Sequence, residues 1–273
     1  MQKYSVLMSV YKKENPIWLK ESVDSMLQQT EKPSEIVIVK DGPLTQELDN
    51  VIAQYQNQLS DLFKIVPLKE NVGLGPALAI GIENCQYDYI ARMDSDDVSD
   101  KDRCEKLLAC FERDKELEIV GCFESEFEKD INNPICIHRV PETNEEIKMF
   151  MKRRCALLHP TVIYKKDAVI KSGNYHDVRL YEDYDLFMRM VLECGCKAYN
   201  LQESLYNMRV NSDFYKRRGG VSYLKTVIRF KYAQYKKGYM LFGDFLISAG
   251  SQMVVCLMPN SIRCWFYKKF LRG

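Results

Sequence analysis

Short apolar runs alternate with amphipathic segments over the first hundred residues of this chain. Four runs rich in strand-forming residues predict strands: residues 4–10 (YSVLMSV), 35–40 (EIVIVK), 63–67 (FKIVP) and 89–93 (YIARM). Between them, apolar side chains recur at helical spacing and predict three helices: from about Pro16, from Gln46 to Leu59 and from Ala77 to Asn84. Strands that alternate with helices specify a mostly parallel sheet with helices on both faces. We therefore predict an α/β fold of the Rossmann-like type.

The pattern becomes less regular after about residue 118. The predicted elements are shorter there: PICIHRV, HPTVIYKK, an amphipathic helix through EDYDLFMRMVLECG and the strand-like SLYNMRV. A helix follows from about Val221, and then an apolar run at 245–258 that is too short to span a bilayer. We divide the chain into one domain with two halves, 1–118 and 119–213, and a helical extension, 214–273.

Charge is distributed unevenly along a chain whose net charge is only +1. Residues 214–273 hold twelve Lys or Arg and a single acid, Asp244, so this segment carries +11 and residues 1–213 carry −10. A basic extension on an acidic body indicates an anionic partner, either a bilayer surface or a polyphosphate. The sequence has no recognition motif for nucleic acid, so we expect no nucleic-acid partner.

Cysteine usage indicates a reducing compartment. The ten cysteines show no regular framework, and no apolar signal stretch stands near the N-terminus, which argues against a secreted disulfide scaffold. Cys194 and Cys196 form a lone CxC without the second ligand pair of a structural zinc site. We expect a cytoplasmic protein with reduced thiols.

Polar side chains follow three of the predicted strands at the point where each strand ends. Ser9 and Tyr11 close the first strand, Asp41 closes the second, and the sequence ARMDSDD places Asp94, Asp96 and Asp97 after the fourth. Ligands of parallel sheets bind outside the carboxyl ends of the strands, so these side chains are expected to converge on one edge.

The three clustered aspartates have two readings. A hard divalent cation is held by one or two carboxylates, with water and phosphate oxygens completing its shell. Alternatively, the cluster is a solvated turn that caps the helix beginning near Asp100, although a cap accounts for one aspartate and not for three. We favour a site for a metal and a diphosphate.

Three further groups are candidates for chemistry. Glu182 and Asp183 begin an amphipathic helix, where an acid is either a partner of the helix dipole or a general base that points into a cleft. The segment KRRGG at 216–220 is suited to a mobile basic loop over phosphate, or to a basic patch at a membrane. His159 is either a substrate contact or a structural hydrogen-bonding group.

The segment GLGPAL at 73–78 matches half of a dinucleotide-binding fingerprint, and Asp94 lies at about the spacing of its ribose-binding acid. However, Leu78 stands where the third small residue belongs, and the segment opens the third strand-helix turn rather than the first. A nicotinamide-dependent enzyme is therefore not expected.

Taken together, these segments resemble the family 2 glycosyltransferases of GT-A fold. The resemblance is carried by five motifs in the family's order: the opening strand and helix from SVLMSVYKKENP, then EIVIVKDG, NVGLGPALAIGI, ARMDSDD as the DxD motif and EDYDLFMR as the ED motif. It extends from about Tyr4 to Val210. Within the family the chain looks most like bacterial enzymes that build exopolysaccharide, capsule and O-antigen repeat units, including the amylovoran type.

The resemblance implies roles for the candidate residues, and it makes 1–118 the nucleotide-sugar half and 119–213 the acceptor half. Contacts to the UDP-sugar are implied for Ser9, Tyr11, Asp41, Arg92 and Asp94. Asp96 would bind Mn or Mg on the diphosphate, and Asp183 would be the catalytic base. Contacts to the acceptor or the diphosphate are candidates for Glu182, His159, Lys216, Arg217 and Arg218.

The implied reaction is an inverting hexosyl transfer from a UDP-sugar, UDP-glucose or UDP-galactose, to a sugar carried on a lipid diphosphate. The basic extension would place the protein on the anionic inner face of the bacterial cytoplasmic membrane. Two other functions remain: a nucleotidyltransferase that makes sugar nucleotides, and a non-catalytic metal-binding protein of the membrane surface. A nucleotidyltransferase needs a glycine-rich basic loop after the first strand, whereas the segment YKKENP at this place contains lysines but no glycine. A non-catalytic protein would give Asp183 no role.

Overall fold

A computed structural model describes residues 2–210, 219–259 and 262–263. Within residues 2–210, nine strands form one sheet in the order β3-β2-β1-β4-β8-β6-β9-β5, and β7 pairs with β6. The strands are β1 (Tyr4–Val10), β2 (Glu35–Lys40), β3 (Phe63–Pro67), β4 (Tyr89–Arg92), β5 (Val98–Ser99), β6 (Leu117–Phe127), β7 (Cys136–His138), β8 (Ile163–Lys165) and β9 (Lys197–Arg209).

Helices cover both faces of this sheet. Those of residues 2–210 are α1 (Pro16–Leu27), α2 (Gln46–Gln58), α3 (Leu74–Asn84), α4 (Arg103–Arg113), α5 (Asn144–Met151), α6 (Lys166–Lys171) and α7 (Glu182–Met188). In the extension they are α8 (Val221–Lys236) and α9 (Phe242–Leu257). The predicted α/β class with a mostly parallel sheet is confirmed, because only β5, β7 and β8 run against the other strands.

The two faces of the sheet bury separate cores. Along β1, Val6 and Met8 pack with α1, α2 and α4, whereas Leu7 points to the opposite core with α3, α5, α6 and α7. All three side chains are fully buried. A strand that is buried on both faces reads as a continuous apolar run, which is why the sequence identified it.

The structure refines several predicted elements. Helix α3 begins at Leu74, three residues before the predicted start, after Gly73 with its positive φ. The short element predicted at HPTVIYKK consists of a 3₁₀ turn at His159–Thr161, the strand β8 and the start of α6. The predicted helix of the ED motif is α-helical only to Met188 and continues as a π turn over Arg189–Glu193.

Helix α8 of the extension packs on α7 through a buried carboxylate. Asp185 is 1% exposed and accepts hydrogen bonds from Arg189 Nε at 2.9 Å, His176 Nδ1 at 3.1 Å, Gln234 Nε2 at 3.1 Å and Lys237 Nζ at 3.2 Å. Burial alone would raise the pKa of Asp185, but Arg189 and its other partners hold that pKa below the usual value. Asp185 is thus a structural anchor between the two helices.

Replacing Asp185 with Ala should destabilise the fold by about 3 kcal/mol or more, because the nearly buried Arg189 would lose its counter-charge. The free energy of unfolding, measured by denaturant titration, tests this. The matched control is Asp177→Ala in the preceding exposed loop, which should cost under about 0.5 kcal/mol. Equal stability of the two variants would contradict the anchoring role.

Candidate active site

A cavity of about 540 Å³ opens at the carboxyl ends of β1, β2 and β4. Six residues predicted from the ends of these strands line it: Ser9, Tyr11, Asp41, Asp94, Asp96 and Asp97. The structure also adds residues that the sequence did not single out, among them Glu14, Trp18, Asn71 and Arg209. We refer to this space as the first cavity.

Asp41 shapes the floor of the first cavity by holding the loop before α3. Its carboxylate accepts hydrogen bonds from Asn71 Nδ2 at 2.8 Å and from the backbone amides of Val72 at 2.7 Å and Gly73 at 3.2 Å. Gly42 permits this close approach, since it has φ +83° and a Cβ there would lie 2.7 Å from the Asn71 backbone nitrogen. Asp41 therefore reaches the predicted place, but its carboxylate is largely engaged by this loop.

The DxD motif is held by the end of β9. Asp97 is 2% exposed, and its carboxylate accepts hydrogen bonds from the Tyr206 hydroxyl at 3.0 Å and the Arg209 amide at 2.6 Å. The same Tyr206 hydroxyl accepts from the Asp94 amide at 3.2 Å, and Arg209 Nε donates to the Asp96 carbonyl at 3.0 Å. Burial and the charges of Asp96 and Asp94 raise the pKa of Asp97 well above its usual value.

Arg92 lies beneath the cluster rather than inside the cavity. It is 1% exposed, is not among the residues that line the first cavity, and forms an ion pair with Asp94. Burial opposes its charged form, but Asp94 more than offsets this and raises the pKa of Arg92. Arg92 thus orients Asp94, and its direct contact with a nucleotide sugar stays a prediction.

Asp96 is the aspartate of the motif best suited to a cation. Asp94 is paired with Arg92 and Asp97 is hydrogen-bonded to β9, whereas no ion pair to Asp96 occurs among the described residues. Burial, followed by the charge of Asp94, raises the pKa of Asp96 to about 6, so a nearby cation would relieve an electrostatic cost. Over the described ranges, no three His, Cys, Asp or Glu side chains form a complete ligand set. The donor set fits a metal that completes its shell with substrate oxygens.

A second cavity, of about 350 Å³, adjoins the first and shares Asp94 and Met208 with it. Its lining includes Asp183 and His159 from the predicted set, and Tyr223, Lys231 and Gln252 from α8 and α9. The structure therefore places Asp96 and Asp183 in adjoining cavities on either side of Asp94. The two halves of the chain each contribute one of these two residues.

Glu182 lies beside Asp183 at the start of α7, where α3 approaches closely. A Cβ on Gly75 would lie 2.5 Å from the His176 carbonyl oxygen and 3.2 Å from Glu182 Cβ, so the helices meet only because Gly75 lacks one. This packing gives Gly75, the second glycine of GLGPAL, a structural role. Burial and the charge of Asp183 raise the pKa of Glu182 to about 7.

His159 lines the second cavity, but its ring is held by aromatic neighbours. Its Nε2 lies 2.8 Å from the Tyr175 hydroxyl, and the ring packs edge-on against Phe187 at 6.1 Å between centroids. Burial and the charge of Arg92 lower the pKa of His159 well below its usual value, so the imidazole is neutral. The remaining predicted contacts, Lys216, Arg217 and Arg218, lie outside the described residues.

Sequence patterns did not identify Arg209 and Trp18, which form one wall of the first cavity. The Arg209 guanidinium stacks over Trp18 at 5.0 Å and over Phe127 at 4.6 Å. These residues come from α1, β6 and β9, and their meeting depends on the pairing of β9 with β6. In the sequence, the only local indication of this wall is the cation Arg209 near the end of the strand-like segment SLYNMRV.

Comparison with known proteins agrees with this architecture. The model of Glycosyl transferase family 2 matches residues 5–174, so the chain belongs to this family and the predicted family is confirmed. A UDP-Gal:alpha-D-GlcNAc-diphosphoundecaprenol beta-1,3-galactosyltransferase of Escherichia coli is 35% identical over 99% of this chain and 97% of its own length. The amylovoran biosynthesis glycosyltransferase AmsE of Erwinia amylovora is 34% identical, over 99% of this chain and all of its own.

Among solved structures, the fold matches the mannosyltransferase PcManGT of Pyrobaculum calidifontis, solved in complex with GDP-Man and Mn²⁺. The TM-score is 0.64 at 12% identity, over 96% of this chain and 78% of that one. At this identity the match concerns the fold. With the family match, it confirms the predicted GT-A class.

The raised pKa of Glu182 predicts a pH dependence of stability. Folding takes up a proton between about pH 4.5 and 7, so the stability contributed by protonated Glu182 is present at low pH and lost as pH rises through 7. The difference in the free energy of unfolding between Glu182→Gln and wild type should shift in favour of the variant by roughly 1–3 kcal/mol as the pH rises from 5 to 8. Denaturant titrations without nucleotide or metal measure this difference. A difference that does not change with pH would show that Glu182 titrates normally.

Proposed function

We propose that this protein is an inverting, metal-dependent hexosyltransferase. It moves a hexose from a UDP-sugar, UDP-galactose or UDP-glucose, to a sugar on a lipid diphosphate and forms a β-glycoside for a surface polysaccharide. The observation that carries the proposal is the pair of adjoining cavities, with Asp96 in one, Asp183 in the other and Asp94 shared. The name of the Escherichia coli relative, a galactosyltransferase that uses a diphosphoundecaprenol-linked sugar, supports the choice of donor and acceptor.

The first cavity is suited to the donor. Ser9, Tyr11 and Asp41 would contact the nucleoside, and Asp94, fixed by Arg92, would lie at the sugar. Asp96 would hold Mn or Mg, which supplies Lewis-acid stabilisation to the diphosphate as it leaves. The presence of Mn²⁺ in the PcManGT complex supports this cofactor.

The second cavity is suited to the acceptor. Asp183 lies at its edge, and the donor sugar would reach it from the side of Asp94. There Asp183 would take the proton from the acceptor hydroxyl as that oxygen attacks the anomeric carbon, a contribution of roughly 10²–10⁴-fold. A single displacement from the face opposite the leaving diphosphate inverts the anomeric centre, so an α-linked donor gives a β-glycoside.

Release of UDP from a panel of UDP-hexoses and UDP-N-acetylhexosamines, with Mn²⁺ and a lipid-diphosphate-linked sugar, tests the function. We expect one donor to react, with loss of about 10²-fold or more in kcat for Asp96→Asn and for Asp183→Asn. Asp177→Asn, outside both cavities, is the matched control and should keep full activity. Formation of sugar nucleotide from UTP would instead identify a nucleotidyltransferase. Full activity of Asp183→Asn would refute the assigned base.

We also propose that the protein works on the inner face of the bacterial cytoplasmic membrane. In the described part of the chain, no helix has the length and apolarity needed to cross a bilayer. Six apolar side chains on α9 and at its N-cap are, however, half or more exposed: Leu241, Phe242, Leu246, Ile247, Val254 and Leu257. Exposed cations of α8, including Lys225 and Arg229, lie on the neighbouring helix. An apolar face beside cations is typical of an interfacial helix on anionic lipid.

Within the extension, α9 is better suited than α8 to enter the lipid. Helix α8 is basic and rich in aromatic residues, but its Phe230 and Lys231 are buried against the domain. The Lys231 ammonium donates to the Arg153 carbonyl at 3.0 Å and to the Ser248 hydroxyl. Helix α8 therefore acts as a support, and α9 presents the apolar surface.

Cosedimentation with vesicles that contain anionic lipid tests the membrane proposal. Leu246→Gln with Ile247→Gln should weaken binding about tenfold or more, because two apolar side chains no longer enter the bilayer. Lys225→Gln with Arg229→Gln should weaken it at low salt only, at about 1 kcal/mol for each cation. Ile17→Gln, an equally exposed apolar position on α1, is the control and should bind like wild type. No binding at low salt would exclude the membrane surface as a partner.

A further inference from the structure

A third cavity continues from the second, between α5 and α9. This groove has a volume of about 910 Å³ and shares Arg153 and Arg154 with the second cavity. Its lining also includes Met149, Phe150, Lys152 and Leu241. The three cavities therefore form a series, joined first at Asp94 and Met208 and then at the two arginines.

The junction between the second cavity and the groove is cationic. Lys152, Arg153 and Arg154 follow directly after α5, and the amides of both arginines donate to the Phe150 carbonyl at 3.0 Å. Arg153 is 54% exposed, its Nε is 2.7 Å from Asp244, and its carbonyl is fixed by Lys231. Burial, followed by the charge of Arg154, lowers the pKa of Lys231 to about 8, so Arg154 lies close enough to Lys231 to act on it. Such a junction favours an anion with several oxygens.

The acids of the groove are already used within the protein. Asp244 is paired with Arg153, Glu142 accepts from the Tyr199 hydroxyl at 3.0 Å, and Glu146 caps α5 through Thr143. Asp244 thus holds the Arg153 guanidinium at the groove, whereas Glu142 and Glu146 have partners other than the two arginines.

Beyond the junction the groove is apolar and open. Met149 of α5 is 70% exposed, and Leu241, the residue that caps the start of α9, is 73% exposed. Leu241 is also continuous with the exposed apolar face of α9. An apolar chain that enters from this face would reach the arginines before it reached Asp183.

We propose that this groove binds the lipid diphosphate of the acceptor, with the diphosphate at Arg153 and Arg154 and the first part of the lipid chain along Met149 and Leu241. The inference rests on the proposed function for the identity of the sugar. The order of the sites matches the order of the ligand, because a sugar, a diphosphate and a lipid chain are joined in that sequence. The donor diphosphate belongs to the first cavity, which is lined by Asp96 and lies on the other side of Asp94.

The proposal can be tested by binding, independently of transfer. Farnesyl diphosphate, a sugar-free isoprenoid diphosphate, is the probe, with farnesol and inorganic diphosphate as partial probes and UDP and Mn²⁺ present to fill the first cavity. Wild type should bind the complete probe at least about tenfold more tightly than either part. Arg153→Gln with Arg154→Gln should weaken it roughly 10- to 100-fold, and the double Lys variant should retain most of the affinity.

Two controls separate local effects from general ones. Lys148→Gln removes a cation of α5 that lines none of these cavities, and it should bind the probe like wild type. Met149→Gln with Leu241→Gln should reduce the preference for farnesyl diphosphate over inorganic diphosphate, whereas Ile17→Gln should not. Unfolding midpoints within about 2 °C of wild type, for a chain of this size, exclude general destabilisation.

Each outcome decides one of the two proposals. If the arginine pair proves irrelevant to farnesyl diphosphate binding while UDP release proceeds, the groove assignment is overturned and the transferase stands. If binding depends on the arginines but no donor releases UDP, the diphosphate site stands and the proposed reaction fails. If Met149→Gln with Leu241→Gln leaves the chain preference intact and instead converts a dimer to a monomer, the groove is an interface between two copies of the chain.

Discussion

The buried carboxylate of Asp97 is the constraint on which the rest of the site depends. It joins the loop after β4 to the end of β9 through the Tyr206 hydroxyl and the Arg209 amide. Without that bridge, the backbone from Asp94 to Asp96 would lack its fixed position between the two cavities. A buried acid is stable only when it is protonated or has hydrogen-bond partners, and Asp97 obtains both partners from a single strand of the opposite half.

The other two aspartates of the motif, Asp94 and Asp96, differ in the charged groups that surround them. Arg92 neutralises Asp94 from below, while Arg209 is directed to the Asp96 carbonyl and to the aromatic rings of Trp18 and Phe127. Asp96 has no ion pair among the described residues, and burial together with the charge of Asp94 raises its pKa. The three aspartates look equivalent in the sequence, but they differ in their hydrogen bonds and ion pairs. Residues distant in sequence provide several of these partners.

The sequence predicted the parallel half and the convergence of its strand ends because both follow from local patterns. Strands buried on both faces give continuous apolar runs, and the residues after them must meet at one edge of the sheet. The sequence did not predict the roles of Tyr206 and Arg209, since their contacts depend on the pairing of β9 with β6. It left the division of HPTVIYKK open, where Pro160 lacks the amide that a central strand needs, Ile163–Lys165 form β8 and Lys166 begins a helix. Arg153 and Arg154 gave no signal either, because two adjacent cations at the end of a helix are usually a solvated surface.

The described helices of the extension are connected to the candidate active site through α7, and this connection would link the proposed membrane contact to the proposed catalysis. Asp185 of α7 is hydrogen-bonded to Gln234 and Lys237 of α8, and it lies two residues from Asp183. Lys231 of the same helix fixes the carbonyl of Arg153 and reaches Ser248 of α9. The helix that carries the proposed base, the loop that carries the arginines and the helix with the apolar face therefore share a single support, α8. In the proposed reaction, a lipid-linked acceptor in the groove would reach the arginines and Asp183 along helices that these hydrogen bonds join.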